Sequence, residues 1–293
     1  MNPNLSRRSK GILCILSSAF FFALMNVLVR LSGDLPSIEK SFFRNLVAMV
    51  FAFFVIRRNK IPLEYKRKDM KYFLIRSVCG MVGILGNFYA LDHMMVADAS
   101  MLNKLSPFFA IIFSFIILRE KVKPIQICCV GIAFAGTLFI IKPGFSGVSM
   151  IPALAGILGG MGAGIAYTYV RVLGNRGVKG PLIVFFFSAF STILNIPLML
   201  PVLEPMSMQQ FLILLGAGAA AAGGQFSITA AYTYAPAREI SIFDYSQIIF
   251  ATLLSFFLLG QIPDHYSFVG YIIICGASAF MFFYNKRCES KNI

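Results

Sequence analysis

Long apolar runs, broken by short charged stretches, dominate this chain. Residues 11–29, 46–56 and 250–259 are apolar on every face rather than along one stripe of a 3.6-residue period. Such runs are the mark of membrane spans and not of amphipathic surface helices. Reading the charged, proline and glycine breaks as span ends predicts ten helices. They fall at 11–30, 40–57, 71–91, 95–118, 124–141, 151–171, 181–200, 208–233, 237–259 and 265–284.

Composition agrees. Of the 293 residues 58% are hydrophobic and 13% charged, against about 25% charged in a soluble domain. A net charge of +14 would suggest nucleic acid in a soluble protein, but the placement of the charges argues otherwise. One set of alternate loops collects 20 of the 26 basic residues, among them Arg7, Arg8, Lys10, the seven between Arg57 and Lys71, Arg119, Lys121, Lys123, Arg171, Arg176, Lys179 and Arg238. The other set has Arg30, Lys40 and Lys142, and three more (Arg44, Arg76, Lys104) fall inside helices. Short cytoplasmic loops retain Lys and Arg because those charges resist translocation. Both termini are therefore expected in the cytoplasm, in a multi-pass protein of the inner membrane whose basic charge faces the bilayer and not nucleic acid. Ser6-Arg7-Arg8 is faintly like a twin-arginine export signal, but no Phe-Leu follows it and it reads as the positive flank of the first helix.

The two halves match at an offset of 141 residues. Ser100 aligns with Ser241, Phe109-Ala110 with Phe250-Ala251, Ser114-Phe115 with Ser255-Phe256, Leu118 with Leu259 and Val29-Arg30 with Val170-Arg171. Each half holds five predicted helices, 11–142 and 150–285. An odd number per repeat forces the second to enter the membrane from the opposite side. The expected fold is thus an all-α membrane protein of two inverted five-helix repeats, a plan that places substrate between the repeats near the midplane.

Ionisable groups cost about 2.5–3.5 kcal/mol at the centre of a membrane helix, so they mark bundle interiors or wet cavities. Five stand out: Arg44, Arg76, Asp98, Lys104 and Asp244. Arg44 and Asp98 fall near the outer interface, where snorkelling or a local ion pair explains them equally well, and Arg76 is near enough to the inner loop to snorkel. At the repeat offset Asn103 corresponds to Asp244, Lys104 to Tyr245 and Ser106 to Gln247. Equivalent turns of two inverted helices thus both carry polar groups. They serve either as substrate contacts or as one buried Lys104–Asp244 pair that locks the helices. Pro107 removes a backbone hydrogen bond one turn on and is the candidate gating kink. Gly-rich stretches in the third, sixth and eighth helices, with Gly80, Gly83, Gly159, Gly162, Gly218 and Gly224, indicate close backbone approach. The same helices carry Asn87, Tyr89, Tyr167 and Gln225 as candidate cavity walls, while Tyr169, Tyr232 and Tyr234 also suit an interfacial belt. Neither metal-ligand spacing nor a nucleophile–base pattern is present. His93 and His265 are isolated, and the cysteines, adjacent Cys128 and Cys129 included, read as small hydrophobes. No catalytic residue, metal or cofactor is expected.

Several fragments, in order, resemble the ten-helix EamA-type branch of the drug/metabolite transporter superfamily. They are Phe42-Phe43-Arg44-Asn45, Ala97-Asp98-Ala99-Ser100, Ser106-Pro107-Phe108, Arg119-Glu120-Lys121, Ala231-Tyr232, Phe243-Asp244-Tyr245-Ser246-Gln247 and Gly260-Gln261-Ile262-Pro263-Asp264 followed by Gly270. The resemblance covers about 11–285. It implies two EamA-like repeats, a cavity lined by helices 1, 3, 4, 6, 8 and 9, and metabolite transport. Within the superfamily the chain looks most similar to the group with S-adenosylmethionine and riboflavin carriers. It departs at Asp244 and Gln247, where the S-adenosylmethionine carriers show a basic residue and a carboxylate, so their substrate does not carry over.

The expected function is a secondary transporter of an amino-acid-, nucleoside- or vitamin-like metabolite, as monomer or homodimer. Lys104, Asn103, Asp244, Tyr245, Gln247, Asn87, Tyr89, Arg76, Tyr167 and Gln225 are its substrate-contact candidates, with Asp244 the proton-coupling one. Multidrug or amine efflux is the alternative, disfavoured by three intramembrane basic residues against two acidic ones. A membrane enzyme or a non-transporting scaffold is the remaining reading.

Overall fold

The computed structural model describes residues 7–63, 65–118, 124–141, 150–234 and 243–290. Among them every regular element is helical: α1 (Arg7–Leu31), α2 (Ser37–Arg58), α3 (Met70–His93), α4 (Val96–Asn103), α5 (Ser106–Leu118), α6 (Pro124–Ile141), α7 (Met150–Asn175), α8 (Gly180–Met199), α9 (Met208–Tyr234), α10 (Ser246–Leu259) and α11 (His265–Ser290), with two short 3₁₀ turns at 67–69 and 200–202. Backbone polar groups in hydrocarbon must be satisfied within the segment, and the helix does that locally.

Seven stretches are long and apolar enough to cross a membrane: α1, α3 with its preceding turn, α4 with α5, α7, α8 with its following turn, α9 and α11. The other three predicted spans fall short for visible reasons. Glu39, Lys40, Arg44, Arg57 and Arg58 leave α2 too highly charged. The apolar parts of α6 and α10 are short, 127–140 and 246–259.

Helix pairing follows a rule. The most extensive contacts join α3 to α7, α1 to α9, α2 to α8 and α6 to α11, and further contacts join α1 to α10, α2 to α9, α3 to α8, α7 to α4 and α5, and α4 to α10. Counting α4 and α5 as one broken helix, the first five helices can be exchanged with the last five in order. That exchange turns α3–α7 into α9–α1, α2–α9 into α8–α3 and α1–α10 into α7–α4/α5. It leaves α2–α8, α6–α11 and α4–α10 unchanged. These larger pairings exchange among themselves under the operation.

Glycine sets the tightest of these crossings. A Cβ at Gly159 would lie 2.9 Å from the Asn87 nitrogen and 3.1 Å from the Gly83 oxygen, and one at Gly162 would lie 2.6 Å from the Cys79 oxygen. The α3 and α7 backbones therefore touch, which a side chain at either position would prevent. One apolar cluster, with Phe22, Phe88, Leu91 and Ala217, fills the space among α1, α3 and α9; a second, with Leu105, Phe108, Tyr271 and Ile274, joins α4, α5, α6 and α11.

The fourth predicted helix, 95–118, is not continuous. It breaks at Lys104 and Leu105, half a turn before Pro107, and resumes as α5. Pro107 has no N–H to donate to the Asn103 carbonyl, and its ring excludes that carbonyl from a normal turn. The chain responds with tighter bonds, from Leu105 nitrogen to Leu102 oxygen at 3.2 Å and from Phe108 nitrogen to Leu105 oxygen at 2.9 Å. An equivalent interruption falls at Tyr245, between the helical residues Phe243–Asp244 and α10.

Candidate functional site

The two breaks face each other. Lys104 Nζ donates to Asp244 Oδ2 at 2.6 Å, and the two residues are 4% and 2% exposed. Tyr245 Oη donates to the Lys104 carbonyl at 3.0 Å. That carbonyl is one the interruption would otherwise strand, so the second break caps the first. Asp244 Oδ1 is buried without a hydrogen-bond partner. A carboxylate oxygen with spare acceptor capacity inside an apolar bundle is suited to a proton or a cationic group.

A separate neutral polar network joins α4 to α1 and α3. Asn26 Nδ2 donates to Ser100 Oγ at 3.0 Å, Asn87 Nδ2 donates to Asn26 Oδ1 at 3.3 Å, and Asn87 Oδ1 is buried without a partner. Gln247 and Gln225 are both buried, and Asn103 and Tyr167 are half-buried. Tyr167, on α7, lies within electrostatic reach of Asp244, Arg44 and Arg76.

The remaining candidates sit elsewhere in the bundle. Tyr89 is exposed, stacked on His93 with ring centroids 4.3 Å apart. It lines an open recess of about 760 Å³ formed with Pro36, Leu85, Pro201 and Leu203, which shares no residue with the ion pair. Its place at the end of α3 turns it outward. Arg76 does not snorkel. It is 2% exposed, and its Cζ sits 3.8 Å from the centre of the Phe187 ring. Arg44 is likewise buried, at 5%. Asp98 is buried and accepts a hydrogen bond from Tyr271 Oη at 2.7 Å. Lys40, expected in an outer loop, is fully buried in the first turn of α2, with its Nζ on Asp92 Oδ1 at 2.5 Å and the Gly33 oxygen at 2.7 Å. Ser241, Arg238 and the Arg119-Glu120-Lys121 fragment lie outside the described residues.

Asn26 and Phe187 were missed. The repeat offset held a signal for the first, since it pairs Asn26 with Tyr167 just as it pairs Val29 with Val170. Phe187 is one of many phenylalanines and has no such signal. Among the described residues no group of three or more His, Cys, Asp or Glu is placed to hold a metal ion.

Comparison with known proteins agrees with this architecture. The sequence pattern of the EamA-like transporter family matches twice, over residues 9–142 and 150–283. The pseudopaline exporter CntI of Pseudomonas aeruginosa is 30% identical over 266 residues, 90% of this chain and 93% of that one. A riboflavin transporter of Brucella anthropi is 25% identical over 89% of this chain and 94% of its own length. The human solute carrier family 35 member G1 is 24% identical over 92% of this chain and 77% of its own. A solved crystal structure of 15% identity shares the fold, with a TM-score of 0.69 over 96% of this chain and 99% of that one. The chain belongs to the EamA-like transporter family.

Proposed function

We propose that this member of the family is a secondary transporter of a small zwitterionic or anionic metabolite, working by alternating access. Its ten spans form two inverted repeats, 11–142 and 150–285, with both termini in the cytoplasm. The exchange of the larger helix pairings supports the repeat, and the one-sided Lys and Arg distribution supports the orientation.

The observation that carries the reading is the Lys104–Asp244 ion pair, at 2.6 Å, between two facing helix breaks. Discontinuous helices at the repeat interface are where such carriers bind. The break before Pro107, which has no N–H to tie it to the preceding turn, is a point about which the two halves of the fourth span can pivot. An entering solute with an ammonium group competes with Lys104 for Asp244, and a proton on Asp244 releases Lys104 in the same way. Either event loosens the tie between α4 and the chain preceding α10. Substrate or proton occupancy is thereby linked to the hinge. Gln247, Asn87 and Gln225 supply neutral hydrogen-bonding groups along the path, with Asn103 and Tyr245 beside the pair.

Two relatives are described as an exporter of pseudopaline and a transporter of riboflavin. Both names support metabolite movement as the activity of this chain. The test is counterflow in proteoliposomes with amino acids, riboflavin and pseudopaline. Saturable exchange of at least one of them, reduced by Lys104→Gln, is expected. Absence of flux for every solute, or flux indifferent to Lys104, would overturn the proposal.

A further inference from the structure

Of the five charges that the sequence leaves inside apolar runs, Lys104 and Asp244 neutralise each other and Asp98 accepts from Tyr271. Two cations are left, Arg44 on α2 and Arg76 on α3. Neither meets a carboxylate among the described residues. Arg44 Nη1 donates to Asn45 Oδ1 at 2.8 Å and its Nε faces Met25 Sδ at 3.4 Å. Arg76 Nε and Nη1 are buried with no partner.

Both guanidinium groups approach the same ring. Arg76 Cζ is 3.8 Å and Arg44 Cζ 6.0 Å from the centre of Phe187 on α8. The Arg76 guanidinium and the edge of the Phe187 ring both press on Gly80, where an added Cβ would collide with Nη1 and come within 2.8 Å of Phe187 Cε2. The absence of a side chain at Gly80 leaves the room that the guanidinium and the ring share. Ser188 and Ser191, beside Phe187 on α8, bring buried hydroxyls that also lack partners.

Two like charges in an apolar interior repel, and each carries a desolvation cost that an aromatic face offsets only in part. A preorganised pair of planar guanidinium groups is complementary to a carboxylate, which each can engage with two parallel hydrogen bonds. We propose that Arg44 and Arg76 form the carboxylate-binding subsite of the transport path. Tyr167, within electrostatic reach of both arginines and of Asp244, links it to the ion pair. A zwitterion bound across the two places its carboxylate on the arginines and its ammonium group toward Asp244 Oδ1. This assignment rests on the transporter reading for its purpose but not for its test.

The experiment is thermal melting of the purified full-length protein in detergent. Sodium acetate and sodium succinate are titrated against sodium chloride and sodium phosphate at equal ionic strength. The carboxylates should raise the melting temperature saturably while chloride and phosphate do not. Arg76→Gln and Arg44→Gln should weaken the apparent succinate affinity by roughly 30-fold or more, as expected when one partner of a buried charge contact is removed. Gly80→Ala retains both charges but evicts the Arg76 guanidinium, so it should give a comparable loss and serves if Arg76→Gln does not fold. An equal response to chloride or phosphate would overturn the carboxylate assignment, as would no response to any carboxylate. An unchanged succinate response in a cooperatively melting Arg76→Gln or Gly80→Ala protein would reduce the arginines to a packing role. Melting needs no flux: Arg76-dependent succinate binding in a protein that moves nothing keeps the subsite and removes the transporter. Carboxylate flux that Arg76→Gln leaves intact does the reverse.

Discussion

Lys104 and Asp244 show how a buried pair differs from its parts. Removing one member of a buried ion pair strands the other, at a cost of about 3–5 kcal/mol, whereas replacing both by apolar groups of similar volume is close to neutral. Asp244→Leu should therefore lower the melting temperature substantially, and Lys104→Met added to it should restore most of the loss. A double variant as unstable as the worse single one would show that the pair is not the interaction that matters. Tyr245→Phe tests the cap on the break. It strands the Lys104 carbonyl and should cost about 1–3 kcal/mol, read as a modest fall in melting temperature without loss of expression. This pair was legible in the sequence, because charges within apolar runs must find partners and the 141-residue offset aligned their turns. The pairing of Lys40 with Asp92 was not. Both residues sit beside loops in the sequence, and only the folded turn of α2 against the end of α3 buries them.

At the scale of elements, the α3–α7 crossing depends on backbones in contact. Gly162→Ala would place a methyl group 2.6 Å from the Cys79 oxygen, and such overpacking costs about 1–3 kcal/mol. The loss should appear as a lower melting temperature, whereas Gly174→Ala on the same helix, where an added Cβ meets nothing within 4 Å, should be neutral or slightly stabilising. Equal effects would mean the crossing is not glycine-limited. The break in the fourth span was half legible. Pro107 announced an interruption, but its site at Lys104–Leu105 depends on two contacts the sequence does not display. The Tyr245 hydroxyl takes up the Lys104 carbonyl, and Gly160 admits the α4 backbone so closely that a Cβ there would lie 2.9 Å from the Leu102 oxygen.

For the whole molecule, the all-helical membrane character was readable from hydropathy alone. Seven of the ten predicted spans are long and apolar enough to cross a membrane; α2 carries five charges, and the apolar parts of α6 and α10 are short. Charges in α2 are tolerated where α8 and α3 bury them, and burial is a property of the assembled bundle. The same reason hid the arginine pair: Arg44 and Arg76 are far apart along the chain and meet only on the Phe187 ring of α8. The coupling of occupancy to motion proposed for the tie between the two breaks makes Asp244 the protonated group. Its most direct measurement is solute flux into proteoliposomes under an imposed pH gradient, comparing the native protein with Asp244→Asn. With Asp244 as the coupling group, the variant should lose gradient-driven accumulation while keeping passive exchange; accumulation that responds to the gradient as in the native protein would contradict that role.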